Sequence, residues 1–261
     1  MKIVTCLLLC AATASPLSAA AETLGLRPSK SLSYTEFGGS YVHESVSNQP
    51  NDWTDTQFDV LHKFGERKIL IGRLGAVERF GLRDSTFALA GYHPLGERTT
   101  GHAEVTVSDN HRFLPRNSVY VQLAHSLGGG WAAAAGLKRA HYDNATVDIA
   151  DLTLEHYFST FRAAATVLPS HSSTAGSAAS YRLQLGHYYG TENNVQLVLA
   201  KGDEVDTPIA AGIIVKTPVQ STAVFGRHWF ARDWAITYSV GRTRQGASTR
   251  DALGVGLRYR F

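Results

Sequence analysis

Six histidines open a recurring tripeptide: His62-Lys63-Phe64, His93-Pro94-Leu95, His125-Ser126-Leu127, His156-Tyr157-Phe158, His187-Tyr188-Tyr189 and His228-Trp229-Phe230. The chain closes on Tyr259-Arg260-Phe261 in the same frame. Histidine ligates metals and serves as a general base near neutral pH, so a metal site or a nucleophile–base pair is the first chemistry to test. His125-Ser126 is the nearest such pair, but adjacent side chains on a strand point to opposite faces and cannot share a hydrogen bond. His141 with Ser170 or Ser172 obeys no spacing rule of a triad. If successive tripeptides lie on every second strand, their backbones stand about 10 Å apart, too far to share one ion readily. We therefore assign no catalytic residue and no metal ligand. Gly128-Gly129-Gly130 sits in no phosphate-cradling context with a following helix, so no cofactor is expected either.

The spacing of the tripeptides carries structural information instead. Their third members are separated by 31, 32, 31, 31, 41 and 31 residues, which implies a repeated unit. Before each one the chain alternates: Phe58, Val60, His62 and Phe64 share one parity, while Asp55, Gln57, Asp59 and Lys63 share the other. The last segment is the cleanest, with Leu253, Val255, Leu257, Tyr259 and Phe261 opposing Gly254, Gly256, Arg258 and Arg260. That is a two-faced strand. Turn chemistry follows each tripeptide, as in Gly65-Glu66-Arg67 and Gly190-Thr191-Glu192. Longer polar connections are expected at the other ends, at Glu44 to Asp52, Asp109 to Asn117, Ser170 to Ser177 and Lys201 to Pro208. The spacing of 41 is one long loop in the sixth hairpin.

This is the pattern of an all-β, transmembrane, up-and-down antiparallel β-barrel. Seven tripeptides mark seven strands running one way, hence about fourteen strands, with twelve as the alternative. An even count puts both termini on the periplasmic side. A soluble sandwich would supply strands but explains neither the unbroken phase nor the terminal aromatic. After the first segment no apolar run reaches the roughly 20 residues of a spanning helix, so a membrane crossing must be made with strands.

Export is read from the start of the chain. Lys2, the apolar run Ile3 to Cys10 and the small residues Ser18 to Ala21 form a cleaved Sec signal over residues 1–21. Residues 22–30 are a short periplasmic lead-in and 31–261 the barrel. Both cysteines, Cys6 and Cys10, fall in the signal, so the mature chain holds no disulfide or thiolate site. Leu9 before Cys10 argues against lipid attachment. Without Lys2 the chain has 24 basic and 22 acidic residues, a balance that speaks against nucleic acid as a partner.

At this point motifs carry a resemblance. The terminal Leu257-Arg258-Tyr259-Arg260-Phe261 resembles the signal that the barrel-assembly machinery reads, with Phe261 as its last residue. Trp53, Glu78-Arg79-Phe80-Gly81 with Asp84, Phe113-Leu114-Pro115-Arg116 and Gly226-Arg227-His228-Trp229-Phe230 look like the YaiO family of outer-membrane barrels over roughly residues 31–261. The resemblance implies a bacterial outer-membrane location, a neighbourhood of membrane lipid and lipopolysaccharide, and association of some members with surface-polysaccharide proteins. It implies no agreed activity. Leu114 departs from the compact form expected of the loop motif.

Three groups of residues are expected to matter. His62, His93, His125, His156, His187, His228 and Tyr259, on the apolar parity near strand ends, are expected to form an interfacial belt with neighbouring aromatics. Asp59, Gln122, Asp151, Glu155, Arg182, Gln184, Arg227, Arg258 and Arg260 are expected to face the lumen. They would either line a solute path or pair across a closed interior, since fourteen strands lie between a filled and an open barrel. Glu78, Arg79, Asp84 and Arg116 are expected at the extracellular mouth, as loop anchors or as ligands for sugar or phosphate groups. The functional expectation is a barrel without evident catalysis, serving as a solute path or beside surface polysaccharide. Left open are a barrel-embedded lipid or lipopolysaccharide hydrolase and a closed structural or adhesive barrel.

Overall fold

A computed structural model describes residues 33–47, 49, 51–190, 192–205, 208–209 and 213–261, with backbone only at 208–209 and 213–214. The expected signal and lead-in lie outside the described residues. The barrel strands are β1 (Tyr34–Val46), β2 (Trp53–Gly65), β3 (Lys68–Arg79), β4 (Leu82–Pro94), β5 (Thr99–Asp109), β6 (Asn117–Gly128), β7 (Trp131–His141), β8 (Thr146–Phe158), β9 (Phe161–Ser172), β10 (Gly176–Tyr189), β11 (Asn193–Glu204), β14 (Thr217–Trp229), β15 (Trp234–Gln245) and β16 (Ser248–Arg260). Two short strands, β12 (Pro208–Ile209) and β13 (Ile213–Ile214), pair with each other inside the β11–β14 connection, at the site of the long spacing.

Each barrel strand pairs antiparallel with its sequence neighbours, and β1 pairs with β16 to close the ring of fourteen. Closure runs from Glu36 opposite Arg260 to Val46 opposite Arg250, and the Phe261 N–H donates to the Thr35 carbonyl at 2.9 Å. Every edge is thereby consumed, as a wall in hydrocarbon requires. Strands of 11 to 14 residues meet or exceed the roughly 9–11 that a tilted strand needs to cross a bilayer. The side-chain period of two does the sorting. Leu253, Val255, Leu257, Leu183, Leu185, Phe58 and Val60 stand exposed outside, while Glu36, Asp151, Glu155, Arg162, Gln184 and Arg258 are buried inside.

The connections differ from the sequence expectation in length. The start of β1 and Phe261 lie at one end, the expected periplasmic one, but the hairpins at the opposite, outer end are not uniformly longer. Phe80-Gly81 is a two-residue turn with both φ angles positive, the conformation that matches strand twist in a tight hairpin. The expected loop Ser170 to Ser177 shrinks to residues 173–175, because β9 and β10 continue through their serines. Serine suits a strand end that leaves the apolar layer as well as it suits a loop, so polarity alone misplaced that boundary. In the β8–β9 ladder, Ala150 and Asp151 go unpaired beside Pro169, which has no N–H to give.

Candidate functional site

All nine residues assigned to the inward parity face the interior, and most are bound there to one another or to further inward residues. At the periplasmic end Glu36 is the hub. Arg258 Nε donates to it at 3.1 Å, Arg260 at 2.6 and 3.0 Å, and Arg227 stands 3.7 Å away. Arg258 also reaches Asp59 at 3.3 and 2.5 Å, and Arg260 bonds Glu192. Three guanidiniums thus meet three carboxylates. The Arg260 guanidinium is held between the rings of Tyr34 and Trp229, at 4.1 and 4.2 Å from their centroids.

Glycine makes this cluster feasible. Gly38 on β1 separates Asp59 on β2 from Arg258 on β16 in the ladder. A β-carbon there would lie 2.5 Å from Asp59 Oδ1 and 3.0 Å from Arg258 Nη1, so the ion pair crosses the strand only because that side chain is missing. The same device recurs at Gly136, which lets Asp151 reach across β7. Tyr120 Oη and Gln122 Nε2 each donate to Asp151 at 2.9 Å over that glycine. Gly254 and Gly256 likewise lie where a β-carbon would strike Ser239 and Thr237.

Further pairs line the interior wall between neighbouring strands. Arg162 Nε and Nη2 each lie 2.7 Å from Glu155, Arg73 bonds Glu104 at 2.8 Å, and Gln184 donates to Gln196 at 2.7 Å. Arg182 behaves differently. Its buried Nε has no hydrogen-bond partner among the described residues. His102 stacks on Tyr92 at 4.2 Å and meets Tyr120 edge-on at 5.3 Å, with neither ring nitrogen hydrogen-bonded among the described residues. A cavity of about 90 Å³ remains among these groups, bordered by Glu36, Asp59, Arg73, Gln196, Arg227 and Arg258. It has room for about six waters.

At the outer end a cluster of side chains packs inside the wall on the side of β1–β4. Trp53, 1% exposed, packs edge-on against Phe80 at 5.0 Å, and the guanidiniums of Arg79 and Arg250 each stand 5.0 Å from its ring. Arg250 also reaches Glu44 at 3.4 Å. Phe113, from the β5–β6 loop, folds inward, meets Phe80 at 6.2 Å and is 2% exposed. Asp84 holds that loop. Fully buried, it accepts the backbone N–H groups of Arg112, Phe113 and Leu114, each at 3.1 Å. Of the expected mouth residues, Asp84 and Arg79 are therefore buried in the closure. Glu78 pairs with Arg83 at 3.7 Å on the surface, and Arg116 is exposed while its carbonyl accepts from Ser108 N–H.

On the outer wall the tripeptide residues meet ring to ring. A run links Trp131, His156, Phe158, Phe161, His187, Tyr189 and His228, with successive centroids 4.4 to 5.9 Å apart. Trp234, Tyr259, Phe261 and Phe37 form a second run. His62 and His125 bond Thr35 and Thr99 across the ladder at 2.8 and 2.9 Å, and His93 is exposed. His125 and Ser126 lie on opposite faces. His141 bonds Thr146 at 3.1 Å, Ser170 bonds the Ala178 carbonyl, and Ser172 caps its own turn. His171 does lie 3.0 Å from Ser177 with Asp148 opposite it, but Arg139 grips that carboxylate at 2.7 and 2.8 Å. The same cross-strand histidine–hydroxyl contact recurs at His62, His125 and His141, which makes it a feature of strand pairing.

Several interior residues escaped the sequence reading although the parity would have found them. Glu36, Glu44, Arg73, His102, Glu104, Arg162 and Arg250 all share the inward phase of their strands. Ile69 and Ile71 are inward too, forming an apolar cluster with Ala90, Tyr92 and Leu61 where polar residues were expected.

A family model described as YaiO membrane beta barrel domain matches residues 35–204. Among solved structures, the CymD monoaromatic hydrocarbon channel is 11% identical, with 87% of each chain covered and a TM-score of 0.57. A bacterial polysaccharide outer membrane secretin is 12% identical over 87% of this chain and 97% of its own, with a TM-score of 0.54. The Acinetobacter baumannii outer membrane protein Omp33 is 10% identical over 89% and 100%, with a TM-score of 0.52. At such identities the likeness is one of fold. A search among curated proteins returns no significant match.

Proposed function

The chain belongs to the YaiO family of membrane β-barrels and is a bacterial outer-membrane protein of channel-like architecture; from that premise we propose that it is a polar-solute path whose resting form is shut at the outer end by the β5–β6 loop. The observation that carries this reading is the Asp84 latch. One buried carboxylate holds three consecutive loop N–H groups and so keeps Phe113 against Phe80 and Arg79. Hydrogen bonds to a charged group contribute about 1.5–3 kcal/mol each, before water takes them over in an open loop. A net hold of about 3 kcal/mol would leave the open form near one part in 150.

Below the latch, paired charges leave a narrow polar interior rather than a wide channel. Arg182, whose buried Nε has no hydrogen-bond partner among the described residues, is the residue this reading gives a role in selectivity. The ring runs of histidine and aromatic residues would hold the periplasmic end at the lipid headgroups, and Phe261 would be read by the barrel-assembly machinery. A surface-polysaccharide partner fits the same reading, since an imported glycan would meet the loop first and an exported one would meet it last. The density of lumenal ion pairs favours a second reading, a closed barrel with no transport role.

Liposome swelling separates the two. With the Asp84→Ala chain, confirmed as folded by heat-modifiable migration, small sugars should enter several times faster than with the unmodified chain. Equal, negligible swelling by both would leave the closed barrel.

A further inference from the structure

The outward face of β11, β14 and β15 carries a feature that a solute path does not use. Lys201, Gln220 and Arg244 form one row across these three strands, and Leu199, Thr222 and Arg242 the next. The apolar wall continues just beneath, where Val240 is 54% exposed. Other cations at this end of the outer wall have partners, Arg139 in Asp148, Arg83 in Glu78 and Lys216 in Asp203. Arg242 is likewise bound to Asp251 at 2.6 and 2.8 Å. Lys201 and Arg244 are exposed and form no hydrogen bond or ion pair among the described residues.

We propose that Lys201 and Arg244, with Gln220 between them, bind the phosphate groups of a phosphorylated glycolipid of the outer leaflet. Lys201, Lys216, Arg242 and Arg244 against Asp203 and Asp251 leave the described residues of this patch with a charge of +2, directly above a surface suited to acyl chains. An anion that binds here must therefore also be an amphiphile. Lys201 and Arg244 are two strands apart, about 10 Å between backbones, a separation that suits two phosphates on one disaccharide headgroup better than a single phosphodiester. Arg244 supplies a planar fork for phosphate oxygens, and Lys201 a mobile point charge. Gln220 adds an amide donor within the same row.

The test titrates the purified full chain in detergent with diphosphoryl lipid A, its dephosphorylated form, and phosphatidylglycerol, reading bound lipid by native mass spectrometry. The unmodified chain should bind diphosphoryl lipid A about tenfold more tightly than either other lipid. Lys201→Ser with Arg244→Ser should erase that preference, and Arg139→Ser, on the opposite wall, should keep it. Should the double serine chain fail to fold, Lys201→Gln with Arg244→Gln serves instead. Unchanged preference in the folded double variant would overturn the proposal, as would phosphatidylglycerol binding as tightly as diphosphoryl lipid A. Neither result depends on whether the lumen conducts.

Discussion

Replacing Gly38 by alanine should destabilise the barrel, against the general expectation for a strand. Alanine is ordinarily better than glycine in a strand interior by about 0.5–1 kcal/mol, because glycine loses more backbone freedom on folding. Here the new β-carbon would lie 2.5 Å from Asp59 Oδ1. A carbon and an oxygen in ordinary contact need close to an ångström more, so the carboxylate must swing away and release Arg258. Arg258 keeps Glu36 at 3.1 Å, so one charged pair is lost rather than the whole cluster. A hydrogen bond to a charged group contributes about 1.5–3 kcal/mol, and solvation of the released groups recovers part of it. The net expectation is a loss of about 1–2 kcal/mol. Reversible urea unfolding in lipid vesicles measures it. A decisive control is Asp59→Ala, in whose background Gly38→Ala should be neutral or stabilising. If Gly38→Ala alone stabilises the chain, the account of how charges cross the strand is wrong.

Other perturbations follow from the same geometry. Trp53→Ala should cost about 3–5 kcal/mol in the same unfolding assay, since it empties the centre of the outer closure; a loss below 1 kcal/mol would mean that the closure is not packed as described. Arg250→Met should cost about 3 kcal/mol by leaving Glu44 buried without its partner, and Glu44→Gln in the same chain should recover most of that loss. Ser177→Ala should leave outer-membrane lipid composition unchanged by mass spectrometry, because its contact with His171 repeats a pairing motif seen at three other histidines; accumulation of intact acyl lipid would revive a hydrolase. In the Asp84→Ala background, Arg182→Ala should move the reversal potential toward cation preference, and an unmoved potential would remove Arg182 from the path.

The barrel was legible because its constraint is periodic. A wall between lipid and water must alternate, and the turns at one end repeat the same short chemistry, so the tripeptide frame counted the strands. The closure was not legible. Asp84 meets the loop N–H groups at positions 28 to 30 residues away, and nothing in its neighbourhood distinguishes it from a surface aspartate. Arg79 looked like a mouth residue because it adjoins a turn; the inward side of a strand end becomes buried only when a loop such as that of Phe113 folds over it. The roles of Gly38 and Gly136 were not legible either, since a glycine's purpose here depends on two side chains that flank it across the sheet and not along the chain. The apolar pair Ile69 and Ile71 faced inward against the polar expectation, yet the exposed Leu70 and Leu74 between and after them fix that phase.

Single-channel recording across planar bilayers tests the central reading most directly, comparing the unmodified chain with Asp84→Ala and Asp84→Asn. A latch built on one carboxylate predicts a mostly closed unmodified chain with rare brief openings, and long-lived steps in both variants. A steady step of the same size in the unmodified chain, or silence in all three folded proteins, would contradict it.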